Sequence, residues 1–212
     1  FDALHDAKLI NADYQTFIDR DNHTGGSIIS AQKVGPTVAA DMVRGAVTAV
    51  LLALVAIFLY ILVRFRNIAF SVGSVVALAF DTLLVIGVYS ICWGWIGFSL
   101  EVDQTFIGAI LTVIGYSIND KVVVFDRMRE NLQLHPTMKP FDLFNMSLNS
   151  TLTRTVMTSL TTLLVLLCIF ILGGDSIRSF AFAMILGVIF GTLSSIFLAA
   201  PIAYRTLSRK EK

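Results

Sequence analysis

The run Thr105–Glu130, TFIGAILTVIGYSINDKVVVFDRMRE, decides the class of this chain. From Thr105 to Val124 its only charged side chains are Asp120 and Lys121, and the rest are apolar, small or uncharged polar. A helix needs about 20 residues to cross a hydrocarbon core of about 30 Å. Ala46–Val63, Ile68–Ile91, Leu152–Leu172 and Phe180–Ala203 reach comparable length. The spacing therefore predicts an all-α membrane protein, a polytopic bundle of five transmembrane helices over residues 44–204. The short links Arg64–Asn67 and Gly173–Ser176 make the helices they join antiparallel neighbours.

Composition points the same way. Apolar residues make up 56% of the chain and charged residues 15%, with a mean hydropathy of +0.77. Soluble domains carry about a quarter charged residues, so this chain has too few to cover a water-facing surface. A net charge of +1 leaves no electrostatic footprint for nucleic acid. Cys92 and Cys168 lie far apart in or beside apolar runs and read as packing residues or lone thiols. No Cys/His cluster has metal-ligand spacing, and His5, His23 and His135 fall outside the spans, so neither metal nor cofactor is expected.

Residues 1–43 are polar and mixed, with a short β-like run at Ser27–Ser30 and Gly35-Pro36 as punctuation. They read as the end of an extramembrane α+β domain and a lead-in helix. The first residues, FDALHDAK, lack an initiator Met and stand in mid-pattern, so part of a longer polypeptide is expected. Lys and Arg set the orientation. Arg64 and Arg66, then Arg127, Arg129 and Lys139, then Arg205, Arg209, Lys210 and Lys212 all fall on one side. The opposite loops, Cys92–Asp103 and Gly173–Ser176, carry no Lys or Arg. The tail 205–212 is thus assigned to the cytoplasm and residues 1–43 to the trans side, where Trp93 and Trp95 suit the interface. Phe141, Phe144 and Leu148 share one helical face, which predicts an amphipathic helix near 140–150, either lying on the cytoplasmic interface or packed on the bundle.

Ionisable residues inside a span are functional candidates by default. Asp120 stands six residues before Asp126, so about 9 Å inside by the helical rise. Burial favours its neutral form and a nearby arginine its charged form, so an acid between the two influences can load and release a proton. Asn119 and Tyr116 make the patch polar, and Gly108, Thr112, Gly115 and Asn119 form a small or polar stripe. Arg154, always charged, is a candidate fixed charge facing Asp120, or a positive-inside anchor. Thr158, Thr161 and Thr162 share its face and either line a water path or bond back to their own helix. Lys121 points about 100° away from Asp120; it either snorkels to the cytoplasmic face, the favoured reading, or serves as a counter-charge. Asp81 lies mid-span without an evident partner and reads as a polar lock between helices or as part of the proton path. Gly187, Gly191, Ser194 and Ser195 read as a packing seam.

Four stretches together resemble the SecF family: VGPTVAADMVRGA (34–46), VDQTFIGAILTVIGYSINDKVVVFDRMREN (102–131), LNSTLTRTVMTSLTTLL (148–164) and FAFAMILGVIFGTLSSIFLAAPI (180–202). The resemblance runs from about Ser27 to Tyr204. It implies a partner of SecD in the SecDF complex, within the resistance–nodulation–division superfamily. The implied function is a non-enzymatic auxiliary of the Sec translocon channel in the bacterial inner membrane, using proton flow to drive export of a polypeptide. It also implies that Asp120 and Arg154 belong to the proton path and that a further acid comes from SecD. Phe80 stands where the family commonly has histidine, which puts any family role for Asp81 in doubt, and Lys121 departs from a small or hydroxyl residue. A complete SecF has six spans, so the five here imply its C-terminal part, or that of a fused SecDF. A proton-coupled exporter of drugs or lipids is the competing reading. An intramembrane aspartyl protease would need two acids at one depth and a Gly-x-Gly-Asp run.

Overall fold

The structure, a computed structural model, describes residues 36–95, 100 and 103–210, together with the isolated positions 2, 5 and 13–15. The expectations for residues 1–43, including the β-like run Ser27–Ser30, otherwise lie outside the described residues. The described chain is helical: α1 (Pro36–Phe65), α2 (Ile68–Cys92), α3 (Gln104–Leu134), α4 (Pro140–Leu172), α5 (Asp175–Ser194), a π turn (Ser195–Ala199) and α6 (Ala200–Lys210). Five rods are long and apolar enough to cross a membrane, with α5, the π turn and α6 together forming the last, Ile177–Ser208.

Local chemistry sets the helix ends. Asn67 caps α2 by accepting from the Ala69 N–H at 3.0 Å, and Asp103 caps α3 by accepting from the Phe106 N–H at 2.8 Å. The link between α1 and α2 is so short that Arg66 adopts a left-handed φ of 52°. Pro140 sits in the first turn of α4, where its missing N–H costs nothing. The helices outrun the apolar runs by several residues because backbone hydrogen bonding continues past the lipid into polar sequence. One difference follows: residues 140–150 are not a separate helix on the interface but the first turns of α4. Leu143, Phe144 and Ser147 are buried there, and the Phe144 ring meets Tyr204 of α6 at 5.5 Å.

Helix α5 is the central rod, packing on α2, α3 and α4. Small residues permit it. A Cβ on Gly187 would enter the Val113 side chain, and one on Gly191 would stand 2.6 Å from Ser117 Oγ. A Cβ on Gly73 would lie 2.8 Å from the Ala199 carbonyl oxygen, so α2 rests directly on the π turn. Pro201 follows that turn; its ring opposes the carbonyl four residues earlier, and a widened turn relieves the crowding. At the other extreme, α1 buries only 6% of its apolar window and leaves Leu51, Leu52, Val55 and Leu59 exposed, as a lipid-facing helix requires. Its end is tied by Arg64, which with Arg129 flanks Asp126 at 3.2 and 3.3 Å.

The buried core falls into two apolar layers. One gathers Leu78, Val85, Tyr89, Phe106, Val113 and Val188; the other gathers Phe70, Phe125, Met128, Phe144 and Ala203. Buried polar residues from α2, α3, α4 and α5 gather beside and between them.

Candidate functional site

The polar layer takes Asp81 from α2, Ser117, Asp120 and Lys121 from α3, Thr155 and Ser159 from α4, and Thr192 and Ser194 from α5. All are buried except Thr192, which is half-buried. Its two acids have different surroundings.

Lys121 is 0% exposed and does not snorkel. Its ammonium donates to Asp81 Oδ2 at 2.9 Å, to Ser117 Oγ at 2.6 Å and to Ser194 Oγ at 3.0 Å. The Ser117 hydroxyl in turn donates to Asp81 Oδ2 at 2.7 Å. Three acceptors drawn from three helices hold the side chain inward, which outweighs its reach to the interface. Asp81 thus has the partner that its own stretch of sequence does not reveal, a lysine forty residues away on a facing helix. Asp81 Oδ1 has no hydrogen-bond partner among the described residues.

Asp120 is 5% exposed and faces hydroxyls. Thr192 Oγ1 lies 3.4 Å from its Oδ2, and Ser159 Oγ lies 2.6 Å from Thr192 Oγ1. Thr192 has a closer acceptor in the Val188 carbonyl at 2.8 Å, so the carboxyl of Asp120 is held loosely. No salt bridge joins it to Arg154 among the described residues. The reason is helical phase. Thr151, Thr155 and Ser159 recur every fourth residue on the buried face of α4, which turns Arg154 and Thr158 to its exposed side. The expected contact between Asp120 and Arg154 is therefore not formed in this conformation. Thr158 donates to the Arg154 carbonyl at 3.1 Å and Thr161 to the Met157 carbonyl at 3.0 Å, so these hydroxyls bond back to their own helix.

Asn119 is exposed and opens on a groove of about 450 Å³ between α1 and α3, lined also by Ala56, Ile57, Tyr60, Gly115, Ile118 and Val122. Sequence reasoning passed over Ser117, Ser159, Thr192 and Ser194 as site residues. Ser117 was findable, since it stands one turn before Lys121 on the same face. The others reveal themselves only through the packing of α4 and α5 on α3.

Comparison with known proteins gives the family. The family described as "Protein export membrane protein SecD/SecF, C-terminal" matches residues 17–209. The chain is 48% identical to protein translocase subunit SecF of Rhodothermus marinus over 92% of its own length and 63% of that protein's. It is 42% identical to protein translocase subunit SecDF of Thermus thermophilus, covering 87% of this chain and 24% of that one. A crystal structure of SecDF in a super-membrane-facing form superposes with a TM-score of 0.73 at 41% identity, over 85% of this chain and 23% of that chain. The chain thus spans about three-fifths of the SecF relative and about a quarter of the fused proteins.

Proposed function

The chain belongs to the SecD/SecF C-terminal family of protein-export membrane proteins, and on that premise we propose that it is the SecF-like part of a SecDF assembly. In this reading it works beside the Sec translocon channel and uses proton flow through its helices to drive export of a polypeptide. Its partners are SecD, separate or fused, and the translocon; it catalyses no covalent chemistry. It lies in the bacterial inner membrane with the C-terminus in the cytoplasm, as the alternation of Lys- and Arg-bearing loops argues.

The observation that carries the proposal is Asp120: a carboxyl buried within a span and faced by the hydroxyl of Thr192, with Ser159 behind it, rather than by a paired cation. Hydroxyls can donate to a carboxylate or accept from a carboxylic acid, so this surrounding tolerates both protonation states. A proton gained there removes a charge from the low-dielectric layer and changes which contacts α3, α4 and α5 favour. Two states that differ in specific contacts are what a population shift requires. Arg154 and Thr158 stand on the exposed side of α4 at this depth. Asn119 borders the open flank of α3.

The test is Asp120→Asn, which keeps shape and removes titration. In inverted membrane vesicles the variant inserts normally, and export of a Sec substrate loses its stimulation by a proton gradient. Stimulation equal to wild type would refute the proposal.

A further inference from the structure

We infer that Lys121 and Asp81 form a buried ion pair that positions α3, leaving Asp120 as the carboxyl of the described polar layer that exchanges a proton. The inference deepens the reading above and rests on it for the role of Asp120.

The hydrogen-bond pattern serves the charged forms in full. An ammonium has three donors and no acceptor. Around Lys121 stand three acceptors, Asp81 Oδ2, Ser117 Oγ and Ser194 Oγ, one for each N–H. The two serines have no hydrogen left to return, because Ser117 spends its own on Asp81 Oδ2 and Ser194 its own on the Gly191 carbonyl at 3.1 Å. A neutral amine would leave one acceptor unserved unless the proton stood on Asp81 Oδ2. Asp81 Oδ2 accepts from both Lys121 and Ser117 in the charged pair, whereas a proton moved to that atom would give a neutral pair with the same contacts, which the labelling below tells apart. Asp120 contrasts in having no ion pair among the described residues, and the Thr192 hydroxyl at 3.4 Å has a nearer acceptor of its own.

The same contacts orient α3. Lys121 is drawn toward α2 and α5, and its neighbour in sequence points about 100° away. That rotation presents Asp120 to Thr192 and to Ser159 of α4. The charged groups brought to this layer are Asp81 from α2, Asp120 and Lys121 from α3 and Arg154 from α4. α5 and the π turn contribute hydroxyls, and α1 carries no ionisable side chain but Tyr60 between Arg44 and Arg64.

Dicyclohexylcarbodiimide tests this, because it modifies carboxyls that are protonated in apolar surroundings. The full protein in native membranes is treated across a pH series, and the adduct is located by peptide mass spectrometry. Wild type should carry it at Asp120 and not at Asp81. Lys121→Met strands Asp81, so an adduct should appear there and grow as pH falls; folded yield should drop more than about tenfold, as an uncompensated buried charge dictates. The double variant K121M/D81L removes both charges, and its folded yield should recover most of that loss. With the positioning pair gone, the pH profile of gradient-driven export should shift in the double variant. Comparable labelling of Asp81 and Asp120 in wild type overturns the ion pair. A folded double variant with an unshifted profile overturns the positioning role. Failure of the underlying proton-path reading looks different: Asp120 stays unlabelled and Asp120→Asn keeps its gradient stimulation.

Discussion

Replacing Gly191 by alanine should loosen the polar layer from its most crowded side. The added Cβ would stand 2.6 Å from Ser117 Oγ and 3.0 Å from Ser117 Cβ. Ser117 cannot swing away freely, because its hydroxyl is held between Asp81 at 2.7 Å and Lys121 at 2.6 Å. The strain is relieved in one of two ways. Either α3 and α5 move apart, an overpacking cost of about 1–3 kcal/mol, or Ser117 gives up a hydrogen bond to a charged group, a cost of about 1.5–3 kcal/mol. Alanine's better helix propensity returns about 1 kcal/mol. The net loss is about 0–2 kcal/mol, and at about 2–4 °C per kcal/mol for a chain of this size the midpoint falls by up to about 8 °C. Gly115→Ala is the internal control. A Cβ there meets nothing within 4 Å, so the propensity gain stands alone and the midpoint holds or rises slightly. Thermal unfolding of both variants in one detergent, followed by circular dichroism, decides the matter. A Gly191→Ala midpoint as high as that of Gly115→Ala would show that α3 and α5 are not in the close contact described.

Two further outcomes are expected. Asn67→Ala removes the cap that accepts from the Ala69 N–H at 3.0 Å and should cost about 1 kcal/mol in the same unfolding assay; no measurable loss would mean that the cap is replaced by water. Single cysteines at Thr137 and Ser208, on the side rich in Lys and Arg, should resist a membrane-impermeant thiol reagent in whole cells. Ready labelling at either position would invert the orientation.

The spans are legible in the sequence because lipid imposes a local rule: about 20 apolar residues in a row, with backbone bonds closed inside each helix. Every apolar run from Ala46 to Ala203 became a spanning rod on that ground, and Asp120 declared itself by standing charged inside one. The seam of Gly187 and Gly191 was likewise readable, since small residues at helical spacing allow close approach. Partners are another matter. Asp81 and Lys121 meet across 40 positions of chain, and nothing in either stretch names the other. Lys121 was expected at the interface because a long flexible stem can reach it; the interior won because Asp81, Ser117 and Ser194 together meet all three of its N–H groups. Arg154 was expected to face Asp120 from depth alone, but depth fixes one coordinate of a helical residue and rotation fixes the other. The rotation of α4 follows from burying Thr151, Thr155 and Ser159, which carries Arg154 to the outside. Sequence alone determined which residues lie in the membrane and roughly how deep, because hydropathy and helical rise act along the chain. Tertiary structure decided which of them touch, because helix rotation is settled by packing against neighbours that are remote in sequence.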